Sequence, residues 1–278
     1  MKGTSIPVAP ALSLRGVSFH YHGMSPNAHV PAIHSLDYLI PDGEIVGILG
    51  PNGSGKSTLL KLVARLLRPH EGYIELFGEP LDELPRAEVA KNVGFVPQET
   101  LQMFPFTLSE MVLMGRSPHH HGWGGWHWED REDWNIVQRA MQDLDVLHLG
   151  SRSVMSVSVG ERQRAVIARA LAQQPRILLL DEPTAFLDLH HQLDIARILR
   201  RLNREHGLTV VLVSHDVNLA SQYCDAILLL NQGRMVACGS PDSVIREDVL
   251  QEVYGCPVLV DRHPHTGCPR VSLPVEPA

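Results

Sequence analysis

No apolar run in this sequence is long enough to cross a bilayer. The longest, such as 177–180 (ILLL) and 209–213 (TVVLV), fall far short of the roughly 18 residues a membrane helix needs. The beginning of the chain lacks a leader pattern, because Lys2 is followed by a mildly apolar stretch interrupted by Pro7 and Pro10, with neither an apolar h-region nor a small-residue cleavage site. The expected location is therefore the cytoplasm. An excess of positive charge is also missing: 24 Lys and Arg against 31 Asp and Glu give a net charge of −7, which excludes a broad nucleic-acid surface. Cys224, Cys238, Cys256 and Cys268 form no CxxC pair and no zinc-ribbon spacing. They are expected to be reduced and structural. There is no internal repeat. What is present is ordinary globular material, 278 residues of which 44% are hydrophobic, enough for one large domain or a core with a subdomain.

Residues 13–19 and 44–49 read as short strands, the second apolar enough to be buried on both faces. A glycine-rich turn follows, then a helical pattern over 57–68 with Leu59, Val63 and Leu66 on one face and Lys61, Arg65 and Arg68 on another. Further strands are predicted at 73–77, 93–96, 177–180, 209–213 and 226–230, with helices at 189–204 and 216–223. This alternation predicts an α/β fold with a mostly parallel sheet and helices on both faces. The stretch from about 100 to 175 has helical patterns at 107–115, 130–147 and 158–174 and no clear strand, so it reads as a helical insertion in the core. Thr107 with Glu110 has the form of a capping box that starts the first of these helices. The tail after about 245, rich in proline and turn residues, is expected to pack loosely.

The densest chemistry sits at 50–57, GPNGSGKS, a full match to GxxxxGK[ST] between a buried strand and an amphipathic helix. Gly50, Pro51, Asn52, Gly53, Ser54 and Gly55 form a turn whose amides can face phosphates, assisted by the positive end of the helix behind it. Lys56 supplies a point charge for the β and γ phosphates, Ser57 a hydroxyl for Mg²⁺, and Thr58 stands behind it. A glycine turn that merely caps a helix seldom meets the whole pattern in this setting. Residues 177–182 (ILLLDE) form an apolar strand ending in two carboxylates, which a buried strand tolerates only beside something cationic or catalytic. Asp181 suits a Mg²⁺ partner and Glu182 the orientation or deprotonation of an attacking water. Residues 209–216 (TVVLVSHD) end another buried strand in His215, at the edge where α/β sheets collect ligands.

Taken together these residues resemble the ATP-binding cassette family, over about residues 11–273. Gln98 in FVPQ looks like the family's loop glutamine, which touches Mg²⁺ and the membrane partner. ERQRAVIARAL at 161–171 resembles the helix after the family signature, and AFLD at 185–188 the loop whose aspartate, here Asp188, crosses a dimer. Tyr21 in FHY matches an aromatic that stacks on adenine. The resemblance implies a P-loop NTPase core with an N-terminal antiparallel β part, an ATPase domain over 11–245 with the helical subdomain inserted at about 100–175, and a C-terminal extension over 246–278. It also implies ATP and Mg²⁺ as cofactors. Lys56, Gln98, Glu182 and His215 would carry catalysis, and Ser57, Gln98 and Asp181 would hold the metal. Two cassettes would close face to face, each ATP between one phosphate loop and the partner's signature. That signature, LSGGE in the family, reads VSVGE at 157–161 here. Ser158, Gly160 and Glu161 are kept, but Val159 replaces a glycine next to the partner's γ phosphate. A β-branched residue there is expected to crowd the phosphate, and a positive φ at that position would add strain of about 1–3 kcal/mol. Slowed hydrolysis is the expected consequence.

Within the family, 215–245, 250–260 and 263–271 are similar to the ATPases of metal-chelate importers handling ferric siderophores, haem and cobalamin. That subgroup implies transmembrane permease subunits, a second ATPase copy and, through the permease, a binding protein as partners, with the chain on the cytoplasmic side of the membrane and no nucleic acid. A cassette for another cargo, such as a molybdate-type oxyanion, would show the same framework. A DNA-acting or ribosome-acting cassette would need a coiled-coil insertion or second cassette that is not visible. An unrelated P-loop GTPase or small-molecule kinase would leave Gln98, His215 and the signature-like segment without a role. The crowded segment with His119, His120, His121 and His127 among Trp123, Trp126 and Trp128 reads as an exposed loop near the membrane partner, with tryptophans filling its contact surface; a site that senses Zn²⁺, Ni²⁺ or Cu²⁺ is the alternative, against which no Cys or carboxylate cluster flanks it in helical register.

Overall fold

The computed structural model describes residues 9–21, 32–98, 106–120 and 130–274. In chain order the first half forms β1 (Leu12–Phe19), β2 (Ile33–Ile40), β3 (Ile45–Leu49), α1 (Lys56–Val63), β4 (Glu71–Leu76), β5 (Glu79–Pro80), α2 (Arg86–Asn92) and β6 (Val93–Val96). Then come α3 (Leu108–Leu113), α4 (Arg131–Asp143), α5 (Val159–Leu171), β7 (Ile177–Asp181), α6 (Leu189–His206), β8 (Thr209–Val213), α7 (Val217–Tyr223), β9 (Ala226–Asn231) and β10 (Arg234–Gly239). The chain closes with α8 (Pro241–Val244), α9 (Glu247–Tyr254), β11 (Leu259–Arg262) and β12 (Pro269–Ser272).

The central sheet is six-stranded, in the order β10-β9-β3-β8-β7-β6. Its strands run parallel from β9 to β6, and β10 joins antiparallel at one edge. Successive side chains of a strand point to opposite faces, and β3, β7 and β8 are buried at every position, so the sheet is buried on both sides. Leu178, Leu180, Val210 and Leu212 meet α3, α4, α5 and α6 in one core. Leu179, Val211, Val213 and Ile48 meet α1 and β1 in the other. Because β9, β3, β8, β7 and β6 run parallel, their C-terminal ends, where polar residues begin, lie along one rim. The antiparallel sheet β2-β1-β4-β5 forms the expected N-terminal β part.

The helical insertion is present. Thr107 starts α3 through the predicted capping box, with its hydroxyl accepting from Glu110 N–H and the Glu110 carboxylate accepting from Thr107 N–H. Buried Arg116 fastens the insertion by an ion pair to buried Asp133 at 2.7 Å and by donating to the Ala172 carbonyl at 2.8 Å.

Two expectations are corrected. The helix expected over 57–68 ends at Val63, because Arg65 turns into the left-handed region at φ 54 and leaves Leu66 at the surface despite its periodic place. The tail does not pack loosely: Leu250, Val253 and Val258 are buried in the main core. Ser221 Oγ donates to the Pro269 carbonyl at 2.6 Å, and Asn218 exchanges two hydrogen bonds with the Val271 backbone. Proline and turn residues shape a β11–β12 hairpin that docks on α7.

Candidate phosphate-binding cleft

The sheet's register sets the cleft. Val213 of β8 is the register partner of Ile48 on one side and of Asp181 on the other, so the turn after β3, the carboxylates after β7 and the histidine after β8 leave the sheet at one level. On the next strand over, Val96 pairs with Leu180; two residues further along each chain, Gln98 and Glu182 meet, the Gln98 amide donating to Glu182 Oε2 at 2.8 Å. Tyr21, Ala32, residues 52–58, Gln98, Glu182, Ala185, Phe186 and His215 line a cleft of about 760 Å³.

The loop at 50–57 is wound as a cradle because glycine stands where other residues would fail. A Cβ at Gly50 (φ 146) would come within 2.1 Å of the Leu230 carbonyl oxygen, and one at Gly55 (φ 103) within 2.3 Å of that of Ala32. Lys56 folds back inside, Nζ donating to the Gly50 and Pro51 carbonyls at 2.8 and 3.0 Å. It is only 5% exposed. Burial holds its ammonium below the ordinary lysine range, against the opposing pull of the Glu182 and Asp181 carboxylates, and an anion entering the cradle would stabilise its charged form.

Ser57 Oγ donates to Asp181 Oδ1 at 2.9 Å. Asp181 is itself buried, which pushes its carboxyl above the usual aspartate range, with the Ser57 hydrogen bond working the other way. Glu182 is clamped between His215 Nε2, 2.5 Å from Oε1, and Gln98. Its backbone lies in the left-handed region at φ 52, a conformation that costs a non-glycine residue about 1–3 kcal/mol and gathers at functional sites. Tyr21 stands at the mouth, half exposed, set edge-on against Phe19 with ring centroids 5.0 Å apart, its hydroxyl 3.3 Å from Thr58 Oγ1. At that exposure the ring can still stack on a planar ligand. A cradle for phosphates, a buried cation, a serine hydroxyl backed by buried Asp181 and a carboxylate held by an imidazole converge on one cavity; that set suits polyphosphate binding and attack by water.

Four predicted residues stand elsewhere. Ser158, Gly160, Glu161 and Asp188 do not line the cleft. Ser158 caps α5 in a second capping box with Glu161, whose carboxyl the Ser158 backbone N–H holds below its ordinary range. Asp188 caps α6 by accepting from His191 N–H at 2.9 Å. Both helix starts face outward, with Val159 and Leu189 exposed. The strain expected at Val159 is absent: it is the first residue of α5, and its φ is not positive. A helix accepts valine there, so only the steric part of the expectation survives.

Sequence reasoning missed Phe186, which lines the cleft at 94% exposure with φ 61; nothing in its spacing marks it. Of the histidine and tryptophan segment, residues 121–129 lie outside the described residues. Its described members are engaged with the protein, His119 Nε2 2.9 Å from the Gln173 carbonyl and His120 Nε2 2.9 Å from Asp133 Oδ2.

Comparison with known proteins matches residues 33–185 to the family model described as ABC transporter. The ferric enterobactin transport ATP-binding protein FepC of Escherichia coli (strain K12) is 40% identical over 85% of this chain and 86% of its own length. The hemin import ATP-binding protein HmuV of Nocardia farcinica (strain IFM 10152) is 40% identical over 99% of this chain and 94% of its own. Among solved structures, the dimeric ATP-binding cassette MJ0796, in a post-hydrolysis state bound to ADP and Pi, superposes with a TM-score of 0.71 at 30% identity, covering 82% of this chain and 98% of that one.

Proposed function

The chain belongs to the ABC transporter family as an ATP-binding subunit, and from that premise we propose that it powers the import of an iron chelate, a ferric siderophore or haem. The observation that carries the ATPase is Glu182 held between His215 and Gln98 at the mouth of the phosphate cradle. In this reading Glu182 takes a proton from the attacking water, His215 and Gln98 fix its carboxylate, Lys56 and the turn from Gly50 to Gly55 hold the β and γ phosphates, and Tyr21 stacks on adenine. Mg²⁺ fits the residues present. Ser57 Oγ and Asp181 Oδ1 lie 2.9 Å apart, the donors are hard oxygens, and a divalent cation would offset the desolvation that raises the Asp181 carboxyl. When bound, that ion neutralises charge on the β and γ oxygens.

The cleft is one-sided, and Ser158, Gly160, Glu161 and Asp188 are presented outward, which supports completion by a second copy. The ATPase domain spans 11–245 with its helical insertion, and 246–278 is a C-terminal extension whose Pro269 and Val271 are fastened to α7. Among the described residues no helix is long and apolar enough to cross a membrane; transmembrane permease subunits hold the chain on the cytoplasmic side in this account, and a binding protein acts through them.

The transport roles of the related FepC (ferric enterobactin) and HmuV (hemin) support the cargo. The test is uptake of labelled ferric siderophore, haem and cobalamin in a deletion strain carrying this gene or its Lys56→Ala form. Rescue of a ferric siderophore or haem by the wild-type gene alone is expected. Rescue of cobalamin only, or of no chelate, overturns the iron assignment, and an oxyanion such as molybdate is then assayed.

Val159 tunes the rate. At 58% exposure on the first turn of α5, its side chain projects where the partner's γ phosphate would come. Val159→Gly is expected to raise kcat several-fold; glycine at this helix end costs stability about 1 kcal/mol at most. Turnover no faster than wild type would remove the crowding argument.

A further inference from the structure

Just beyond the Asp188 turn, α6 gathers His190, His191 and Asp194, whose donor atoms lie within 4.8 Å of one another. Two imidazoles and a carboxylate are a donor set for a transition metal, but a cation already stands there. Buried Arg164 of α5 brings Nη1 to 3.3 Å from His191 Nδ1 and 3.9 Å from Asp194 Oδ2. A metal ion in the same gap would be repelled. The cluster is organised round a guanidinium, and its meaning lies in what His191 joins.

Three contacts converge on that residue. Its backbone N–H donates to Asp188 Oδ1 at 2.9 Å and so holds the turn that starts α6. Its ring lies directly over Gly160: a Cβ on Gly160 would fall 2.4 Å from His191 Cδ2 and 2.5 Å from Cγ. Its Nδ1 faces Arg164, and because a guanidinium can only donate, Nδ1 accepts and the ring proton sits on Nε2. Among the described residues this is the one side-chain hydrogen bond that Arg164 makes, its Nε having no partner. Gly160 itself has no positive φ, so glycine is required there by the approach of the imidazole and not by backbone conformation.

From these contacts we infer that His191 is a positioning residue that locks the Asp188 turn of α6 to the first turn of α5. The inference rests on the proposed ATP-closed dimer, in which Asp188 and the segment Ser158–Gly160 are the two elements one copy presents to the other. The imidazole fixes their spacing, so that both arrive together when two copies close. Without it the Asp188 turn and the α5 N-terminus can separate, Arg164 keeps only its longer contact to Asp194, and each element must find the partner independently. His191 does not line the cleft, so nucleotide affinity of a single copy does not depend on it.

The test compares the purified wild type, His191→Ala and His191→Asn for ATP affinity of the monomer and turnover, and the same three on a Glu182→Gln background for ATP-dependent dimerisation by light scattering. His191→Ala should keep the wild-type monomer affinity and lose about tenfold to a hundredfold in kcat, the scale of a misplacement near 1 Å, with dimerisation weakened in parallel. His191→Asn, whose side-chain oxygen replaces Nδ1 as acceptor for Arg164, should recover most of both. If His191→Ala dimerises and turns over like the wild type, the inference falls. If both variants lose monomer affinity along with turnover, the residue is only structural and the inference falls as well. A wild type that neither dimerises nor hydrolyses ATP overturns the functional reading itself, which separates that failure from this one.

Discussion

Glu182→Gln should abolish most ATP turnover while leaving ATP bound. Glutamine keeps the shape of the side chain and its neighbours, His215 at 2.5 Å and Gln98 at 2.8 Å, but removes the group that takes the proton. Loss of a positioned general base costs about 10²–10⁴-fold in rate, and that fall is expected in kcat, measured as phosphate release under saturating Mg²⁺ and ATP. The nucleotide's own contacts come from the turn at 50–57 and from Tyr21, so the dissociation constant for ATP should stay within about threefold, since no charged hydrogen bond to the nucleotide is removed. Turnover within tenfold of the wild type would mean that Glu182 is held by His215 and Gln98 for structure alone. Because φ at Glu182 is positive, the conservative amide is the informative replacement; glycine would relieve backbone strain and confuse the reading.

Lys56→Ala is the second large effect, and it acts at the binding step. A hydrogen bond to a charged group is worth about 1.5–3 kcal/mol, which converts to roughly a 10- to 150-fold weaker dissociation constant. In the apo fold, burial holds the Lys56 ammonium below its ordinary range, so its charge adds nothing to the stability of the empty protein and its value appears only when phosphate enters. Thermal unfolding shows the difference. At ATP a hundredfold above its dissociation constant the wild type gains about 2.7 kcal/mol, a shift of several degrees in Tm for a chain of this size. At the same ATP concentration the variant should lose roughly half to nine-tenths of that shift, while its ATP-free Tm stays close to wild type. An unchanged ATP-induced shift would contradict the placement of the phosphates beside Lys56.

The parts of this site that can be read from sequence are those fixed by local chain geometry. A buried strand leading into GPNGSGKS, another ending in Asp181 and Glu182, and a third ending before His215 carry their chemistry at strand ends, and the parallel register aligns those ends. Gln98 was legible only through resemblance; its meeting with Glu182 depends on the pairing of β6 with β7, which no local pattern states. The same limit explains what was misread. Periodicity extended α1 to residue 68 because Leu66 fits the helical stripe, whereas the left-handed Arg65 ends the helix first. Strand β2 was missed, as were the edge strand β10 and the β11–β12 hairpin. Edge and hairpin strands show partial burial in place of a continuous apolar run. The tail looked loose because its proline content was visible and its buried contacts with α7 were not. Val159 looked strained because a glycine normally occupies that place, yet the helix begins there and accepts valine. The ring of His191 over Gly160 is a tertiary contact between α6 and α5, beyond the reach of any motif.

Light scattering of purified Glu182→Gln protein, with and without Mg²⁺ and ATP, tests most directly whether this chain is an ATP-closed cassette. The account predicts a single copy without nucleotide and a stable pair with ATP, because binding drives closure and the missing base prevents reopening; a protein that binds ATP yet remains a single copy at every ATP concentration would contradict it.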